Sequence, residues 1–265
     1  MRTKYAILFF MLLLLSAALA AGQDKTASVS PESGREYNAG LKLFTEGKYA
    51  AALEQFVKAE KLDQKNTAAV FAQGLALTKL NRPKEAVERF GRVLAADPDH
   101  AKALLALPAA LYQAGDADGA LAAYDKSIAK SPKSVDLYNG KAVILIKRKK
   151  YDDAVKVLEQ AHQLEPKNMK IQETMAYTLA ESGKLKEAAA LAEKILAVNP
   201  ANARAHVIIG DNLRLARKYA EALPHYRSAA KNLETKAYAE HFIEVIKKKQ
   251  EEDDIEREYE ASKKK

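Results

Sequence analysis

The sequence predicts an all-α protein, an α-solenoid in which short helix hairpins stack one on the next. Three observations support this fold class: a proline that returns every 34 residues, small and bulky side chains at fixed points of the same period, and helix-ending residues where each helix should stop. A period of this length is typical of arrays of small supersecondary units, and each of these buries its apolar side only by stacking on a neighbour.

Residues 1–20 have the layout of a secretory signal peptide: Arg2 and Lys4 precede an apolar run, and small residues lead up to Ala20, after which we expect cleavage. A retained segment would instead anchor the chain in the inner membrane, because about 17 residues is the lower limit for a spanning helix. Residues 21–32 are predicted to be a polar linker. The chain is therefore expected to be exported, and the periplasm suits a protein that has no cysteine for disulfides.

The composition limits the classes of function. Apolar residues make up 48% of the chain, which is enough for a packed core and too much for a disordered protein. The formal net charge of +8 falls to +6 without Arg2 and Lys4, and it is too dilute to indicate nucleic acid binding. No second apolar stretch reaches spanning length, so a membrane is expected as a partner only through an uncleaved signal. The absence of cysteine excludes thiolate zinc sites and a cysteine nucleophile.

The repeated proline sets the register of the array. Pro98, Pro132, Pro166 and Pro200 are each 34 residues after the last, with no insertion between them. Extending this register in both directions predicts six repeats, at 33–66, 67–100, 101–134, 135–168, 169–202 and 203–236.

Other positions of the repeat follow the same register. Position 8 is Gly or Ala in five repeats, position 11 is leucine in all six, and position 20 is alanine in all six. Position 24 is bulky in five, as at Phe56, Phe90 and Tyr226. Small residues let two antiparallel helices approach closely, and the bulky ones pack against the neighbouring helix.

This pattern resembles the tetratricopeptide repeat, a helix-turn-helix unit of 34 residues with small residues at positions 8 and 20, a large one at 24 and proline at 32. The resemblance implies a right-handed superhelix of helix pairs. The chain departs from the family pattern in having no tryptophan at position 4, and Gln64 and Glu234 stand where the first and last repeats should have proline.

Helix ends can be placed from local chemistry. Proline disfavours helix in the residue before it, so the second helix of a repeat should end near Asp97, Ser131, Glu165 or Asn199. The next first helix needs an N-cap, and the residues at that point are Asn66, Asp99, Ser134, Asn168 and Asn202. Between the two helices, Gly47, Gly115 and Gly183 can adopt the left-handed conformation that ends a helix, and Asn81 can do so less easily.

Pro108 departs from the register because it occupies position 8 of the third repeat, inside a first helix expected from about Ala101 to Ala114. It removes one backbone hydrogen bond and presses on the carbonyl of Leu104, at a cost of about 3 kcal/mol. We predict a kinked helix. The kink either reshapes a binding groove or is tolerated strain.

Residues 237–265 are predicted to close the array with a capping helix and a charged tail. Thr235 is the expected cap, and one helical face carries Tyr238, Phe242, Val245 and Ile246. The stretch from Gln250 onward is highly charged, and we expect a frayed or disordered extension there.

The resemblance also implies where a partner binds, because the family lines the concave side of its superhelix with positions 2, 5, 9, 12 and 13 of the first helices. At these positions the partner-binding candidates are Tyr37, Leu41, Phe44, Phe71, Leu75, Leu105, Tyr112, Asn139, Val143, Ile146, Glu173, Tyr177, Asp211 and Arg214. A groove that is apolar at one end and charged at the other suits an extended or helical peptide with matching halves. Alternatively, several of these side chains only pack against adjacent repeats.

No catalytic pattern is present. The five histidines are scattered without metalloprotease spacing, and no glycine-rich phosphate loop occurs, so we predict no enzyme activity, cofactor or metal. Chaperone-docking relatives hold a C-terminal carboxylate with Lys, Asn and Arg from three consecutive first helices. Tyr37 and Leu41 occupy the leading positions here, so that activity is not predicted. The prediction is a protein-interaction scaffold of the bacterial cell envelope. The alternative is a structural subunit that self-associates through its terminal repeats or its apolar groove.

Overall fold

The computed structural model describes residues 30–263, so the predicted signal peptide and nearly all of the linker lie outside the described residues. All regular elements in this part of the chain are helices, as the repeat pattern predicts. None of these helices combines the length and the apolar character that crossing a membrane requires. The chain divides into two compact units, with unit 1 ending at Pro132 and unit 2 beginning at Lys133.

Unit 1 contains three helix pairs, and within the unit each helix packs against the next one. The helices are α1 (Pro31–Thr45), α2 (Tyr49–Leu62), α3 (Thr67–Lys79), α4 (Pro83–Ala96), α5 (Ala101–Gln113) and α6 (Ala117–Lys130). Odd-numbered helices are the first helices of their repeats and even-numbered helices the second. The first helix begins at Pro31, inside the segment expected as linker, because Ser30 accepts a hydrogen bond from the Ser33 backbone N–H at 3.2 Å.

Unit 2 contains three further pairs and a long final helix. These are α7 (Val135–Lys147), α8 (Tyr151–Leu164), α9 (Met169–Glu181), α10 (Leu185–Val198), α11 (Ala203–Leu215), α12 (Tyr219–Ala229) and α13 (Lys236–Ser262). The same positions of the repeat begin and end nearly every helix, so the sequence period is also the structural period.

The turn within each repeat uses one backbone device. Position 15 has positive φ in all six repeats; the predicted glycines Gly47, Gly115 and Gly183 have φ of 77°, 92° and 82°. Asn81 follows the prediction at 58°, while Lys149 at 57° and Arg217 at 59° were not expected, since neither is glycine or asparagine. The next N–H donates to the carbonyl of the leucine at position 11, as from Lys48 to Leu43 at 2.9 Å. This Schellman bond overrides side-chain preference.

Most predicted helix caps are confirmed. The residues Asp97, Ser131, Glu165 and Asn199 are the C-caps of α4, α6, α8 and α10. Asn66, Asn168 and Asn202 accept from backbone N–H groups of the helices that they precede, and Ser134 stands at an N-cap without a side-chain bond. The prediction of Asp99 is wrong. His100 caps α5 through Nδ1, 3.1 Å from the Ala103 N–H, and Asp99 pairs instead with Lys130 at 2.9 Å.

The contact between small and bulky positions forms the centre of several repeats. A Cβ added at Gly40 or Gly74 would lie 2.5 Å from the ring of Phe56 or Phe90 respectively, so glycine is required for the observed approach. Gly210 is less tight, since its added Cβ would lie 3.0 Å from Tyr226. The predicted close approach of the two helices at the small position 8 is therefore confirmed in these repeats, and the bulky residue that packs there is the one at position 24.

Helix α5 continues through Pro108, which is buried. The carbonyl of Leu104, which lacks its usual helical donor, accepts a hydrogen bond from the buried Ser127 hydroxyl of α6 at 2.9 Å. The neighbouring helix therefore compensates for the proline, and the kink stays a prediction. A second internal proline, Pro224, lies in α12, which ends earlier than the other second helices.

The final helix differs from the expectation in two ways. It continues through the charged stretch to Ser262, because ion pairs one turn apart support it, such as Lys249 with Asp253 at 3.4 Å and Arg257 with Asp254 at 3.1 Å. Thr235 directly precedes α13, as expected for its cap, and its carbonyl accepts from the Ala239 N–H at 2.9 Å, while its hydroxyl donates to the Ala229 carbonyl of α12 at 2.6 Å. The buried side of α13 carries Ala239 and Ile246 with the partly buried Phe242, whereas Tyr238 and Val245 are exposed.

Candidate interaction surfaces on the first helices

We call positions 2, 5, 9, 12 and 13 of the first helices the first-helix face, and describe it separately in each unit. In unit 1 two of the predicted residues belong to the core. Phe44 is buried with its ring 5.1 Å from that of Tyr49, and Phe71 is only 9% exposed, with its ring 5.5 Å from that of Phe90. Each also belongs to a buried cluster with residues of the next repeat, Phe44 with Ala72 and Phe71 with Ala103, and packing against adjacent repeats was the alternative raised by the sequence.

The other predicted residues of unit 1 are half-buried apolar or aromatic side chains. They are Tyr37, Leu41, Leu75, Leu105 and Tyr112. Leu41 and Leu75 pack against the buried cluster around Phe56, and the Tyr37 ring lies 5.8 Å from that of Phe56. This face therefore presents partly exposed apolar surface on a rigid core.

In repeat 4, the first of unit 2, the predicted residues are similar in character. Asn139 is buried, and Val143 and Ile146 are half-buried. The two aliphatic residues continue the apolar composition of the first-helix face, while Asn139 has little surface to offer a partner.

In repeat 6 the final helix α13 binds to residues of the first-helix face. Asp211 accepts hydrogen bonds from the hydroxyls of Tyr226 at 2.6 Å and Tyr238 at 2.8 Å. Arg214 donates through Nε to the Tyr226 hydroxyl at 3.1 Å, and its guanidinium stacks 4.2 Å above the ring of Phe242. The structure thus brings Asp211 and Arg214 together, as the sequence predicted for a binding groove, but with a segment of the same chain as their partner.

Burial and charge fix the state of this cluster. Burial raises the pKa of Tyr226 well above its usual range, and the Asp211 carboxylate adds to the effect. The pKa of Tyr238 is raised for the same two reasons, in the same order. Both hydroxyls therefore remain protonated donors to Asp211. The sequence contained a signal for the contact between Tyr238 and Asp211. When the 34-residue register is extended by one more repeat, Tyr238 stands at position 2, which belongs to the first-helix face.

Repeat 5 carries the part of the unit 2 face that remains open. Tyr177 is 46% exposed, and Glu173 and Glu181 stand four residues before and after it on α9. The Asn202 side-chain amide donates to Glu173, and the Tyr151 hydroxyl donates to Glu181 at 3.4 Å. Glu181 and Tyr151 were not among the predicted site residues, although position 13 belongs to the first-helix face.

Two histidines treated as scattered in the sequence meet in repeat 6. The Nδ1 atoms of His206 and His225 are 3.0 Å apart, and Nε2 of His206 lies 3.0 Å from the Pro200 carbonyl. Since that carbonyl only accepts, His206 carries its proton on Nε2 and accepts at Nδ1 from His225. Burial lowers the pKa of His225, His206 lowers it further, and Glu193 opposes both. Within residues 30–263, no group of three or more potential metal ligands occurs.

Comparison with known proteins agrees with this architecture. Sequence models of the tetratricopeptide repeat match residues 37–88, 71–135, 109–168 and 145–208, which together cover more than half of the chain. The chain therefore belongs to the tetratricopeptide repeat family, whose members typically act as protein–protein interaction scaffolds and are generally not catalysts. No curated protein sequence matches the chain significantly.

Solved structures share the fold at low identity. MamA from Desulfovibrio magneticus RS-1, residues 41 to the end, superposes with a TM-score of 0.59 at 18% identity, covering 66% of this chain and 99% of that one. A tetratricopeptide repeat protein from Parabacteroides merdae gives a TM-score of 0.56 at 20% identity, covering 84% of this chain and 87% of that one. At such identity the likeness shows the fold alone.

Proposed function

We propose that this protein is a non-enzymatic scaffold that binds a peptide or helical segment of another protein along its first-helix face. The observation that carries the proposal is the set of half-buried apolar side chains on the first helices of unit 1, of which Leu75 and Tyr112 are examples. Such side chains are already ordered by the core behind them, so a partner gains apolar contact without the cost of ordering them.

The proposed location is the bacterial cell envelope. It is supported by the charge and apolar layout of residues 1–20, which is that of an export signal. If the signal is cleaved, the proposal is a periplasmic protein; if it is retained, the same segment anchors the protein in the inner membrane. The N-terminal sequence of the protein purified from the envelope distinguishes the two.

Site-directed photo-crosslinking tests the binding surface. A photoreactive phenylalanine analogue replaces Leu75 or Tyr112 on the first helices, and matched variants carry it at Lys58 or Glu88, which are exposed on second helices. We expect a discrete crosslinked partner from the first pair of positions only. Equal crosslinking from both pairs, or none from the first pair, contradicts the proposal.

Self-association is the second candidate, and one observation favours it. Ile255 and Tyr259 of α13 are 67% and 59% exposed, although large apolar side chains are usually covered in part. Size-exclusion chromatography with light scattering should then show a dimer or larger assembly that Ile255→Glu with Tyr259→Glu dissociates. A monomer at high concentration rejects this candidate.

A further inference from the structure

The exposed side of α9 carries a regular row of acid, aromatic ring and acid. Glu173, Tyr177 and Glu181 are spaced by four residues, so they share one face of the helix. With a rise of about 1.5 Å per residue, the backbone positions of Glu173 and Glu181 are about 12 Å apart along the helix axis. Among the first helices, only α9 has an acidic residue at position 13.

The carboxylates of this row have hydrogen-bond partners but no ion-pair partner in the described part of the chain. Neither Glu173 nor Glu181 forms an ion pair among residues 30–263, where their polar partners are Asn202 and Tyr151. The nearby basic side chains already have other partners. Lys184 pairs with Asp152 at 2.7 Å, and Arg204 pairs with Glu234 at 2.9 Å. Arg214 lies over the Phe242 ring at 4.2 Å, and Lys170 has contacts of its own.

Aromatic rings surround the Glu181 end of the row. The Tyr151 hydroxyl reaches the Glu181 carboxylate at 3.4 Å, and Tyr177 and Tyr238 are both more than two-fifths exposed. The pKa of Tyr177 is raised by its burial first and by Glu181 next, which is consistent with a hydroxyl beside that carboxylate. An ammonium or guanidinium group gains from a carboxylate and from the face of a tyrosine ring together.

We infer that this α9 row binds a basic, extended segment of the partner, with Lys or Arg at residues i and i+4. An extended chain rises about 3.3 Å per residue, so four residues span about 13 Å and match the spacing of the two glutamates along the helix. The apolar residue between the two basic ones lies against the Tyr177 ring. The inference rests on the proposed function, because it names the chemistry of a partner for the first-helix face.

The test uses the full chain and defined peptides. The probe is acetyl-Arg-Ala-Leu-Ala-Arg-amide with a fluorescent label, and binding is measured by anisotropy at low salt. One comparison peptide replaces both arginines by citrulline, their neutral isostere, and another places the two arginines side by side. We expect the citrulline peptide to bind about tenfold more weakly than the arginine peptide, and the peptide with adjacent arginines to lose less affinity. Binding of the arginine peptide should weaken as the salt concentration rises.

Variants locate the binding on the protein. The double variant Glu173→Gln/Glu181→Gln removes two charges and should weaken binding of the arginine peptide about tenfold. The matched control is Glu159→Gln with Glu187→Gln, which removes two exposed charges from second helices of the same unit and should leave binding unchanged. Circular dichroism of each variant establishes that the helices remain folded.

The outcomes separate the two proposals. Equal binding of arginine and citrulline peptides, or equal weakening by both variant pairs, overturns the basic-segment inference. A natural partner that crosslinks at Leu75 and binds the Glu173→Gln/Glu181→Gln variant as tightly as the wild type overturns it too, while the proposed function stands. Selective arginine binding without any crosslinked partner supports the α9 site and counts against the scaffold proposal.

Discussion

Units 1 and 2 are built on the same 34-residue pattern, yet the side chains of the first-helix face have different surroundings in each. In unit 1 it presents half-buried apolar side chains supported by Gly–Phe contacts beneath them. In repeat 6 of unit 2 the polar residues Asp211 and Arg214 are bound to the final helix of the same chain. The comparison shows that a position in the repeat determines which way its side chain faces. Neighbouring elements then determine whether that side chain is covered by the same chain or stays exposed to a partner.

The largest expected effect comes from removing the acceptor that holds α13. Asp211→Ala leaves the hydroxyls of Tyr226 and Tyr238 without their charged acceptor, and we expect a loss of about 2 to 4 kcal/mol of stability in unit 2. Hydrogen exchange measured helix by helix should show α11 to α13 losing protection and unit 1 unchanged.

Asp152→Ala is the matched control for that variant. Its carboxylate also forms an ion pair, to Lys184 at 2.7 Å, but this carboxylate is exposed, so the loss of stability should be much smaller than for Asp211→Ala. Equal losses from the two substitutions would mean that the cluster around Asp211 does not hold the final helix.

The second prediction concerns Pro108. Ser127→Ala leaves the buried Leu104 carbonyl without a donor and should cost about 1 to 3 kcal/mol. In a Pro108→Ala background, residue 108 regains its N–H, so the same serine substitution should cost much less. A double-mutant cycle from denaturant unfolding measures the difference, and strict additivity would show that the serine does not compensate for the proline.

The third prediction compares glycine and alanine at position 8. Gly74→Ala places a Cβ 2.5 Å from the Phe90 ring, so an overpacking cost of about 1 to 3 kcal/mol outweighs a helix-propensity gain of about 1 kcal/mol. Ala176→Gly in unit 2 should cost about 1 kcal/mol from propensity and lost packing. Thermal unfolding of both variants checks this, and a stabilising Gly74→Ala would show that the ring can move aside.

The smallest effect is a pH dependence confined to unit 2. The pKa of His225 in the folded protein lies below its ordinary 6.5, so the unfolded chain binds more protons in the interval between the two values. The stability that neutral His225 contributes is fully present above about pH 6.5, and it is lost as the pH falls through the pKa of His225 in the folded protein. Glu193 and Glu221 line the same cavity as His225. Glu193 raises the pKa of His225 and so reduces the effect.

Hydrogen exchange of α11 and α12 between pH 7 and pH 5 measures this loss. In the His225→Gln variant the change that is specific to these two helices should disappear, because glutamine cannot take up a proton in this range. A pH response that survives the substitution would assign the titration to another group.

Periodic features of the fold could be predicted from the sequence because they depend on local chemistry. The proline at position 32 and the residue before it determine where second helices end, and the glycines Gly47, Gly115 and Gly183 determine where first helices end. The positive φ of Lys149 and Arg217 could not be predicted from residue type, since the bonds of the repeated turn impose it. His100 is the cap in place of Asp99 because the helix begins at Ala101, which makes residue 100 the N-cap position.

The candidate site divides in the same way. Sequence by itself determined the repeat and most of its helix boundaries, because a fixed period repeats the same local energetics along the chain. The positions of the first-helix face came from the resemblance to the tetratricopeptide repeat. Only the tertiary structure decided which of these side chains are buried, as with Phe71, and which are bound within the chain, as with Asp211 and Arg214. These outcomes depend on contacts between residues distant in sequence, such as Asp211 with Tyr238, so the pattern within a single repeat does not encode them.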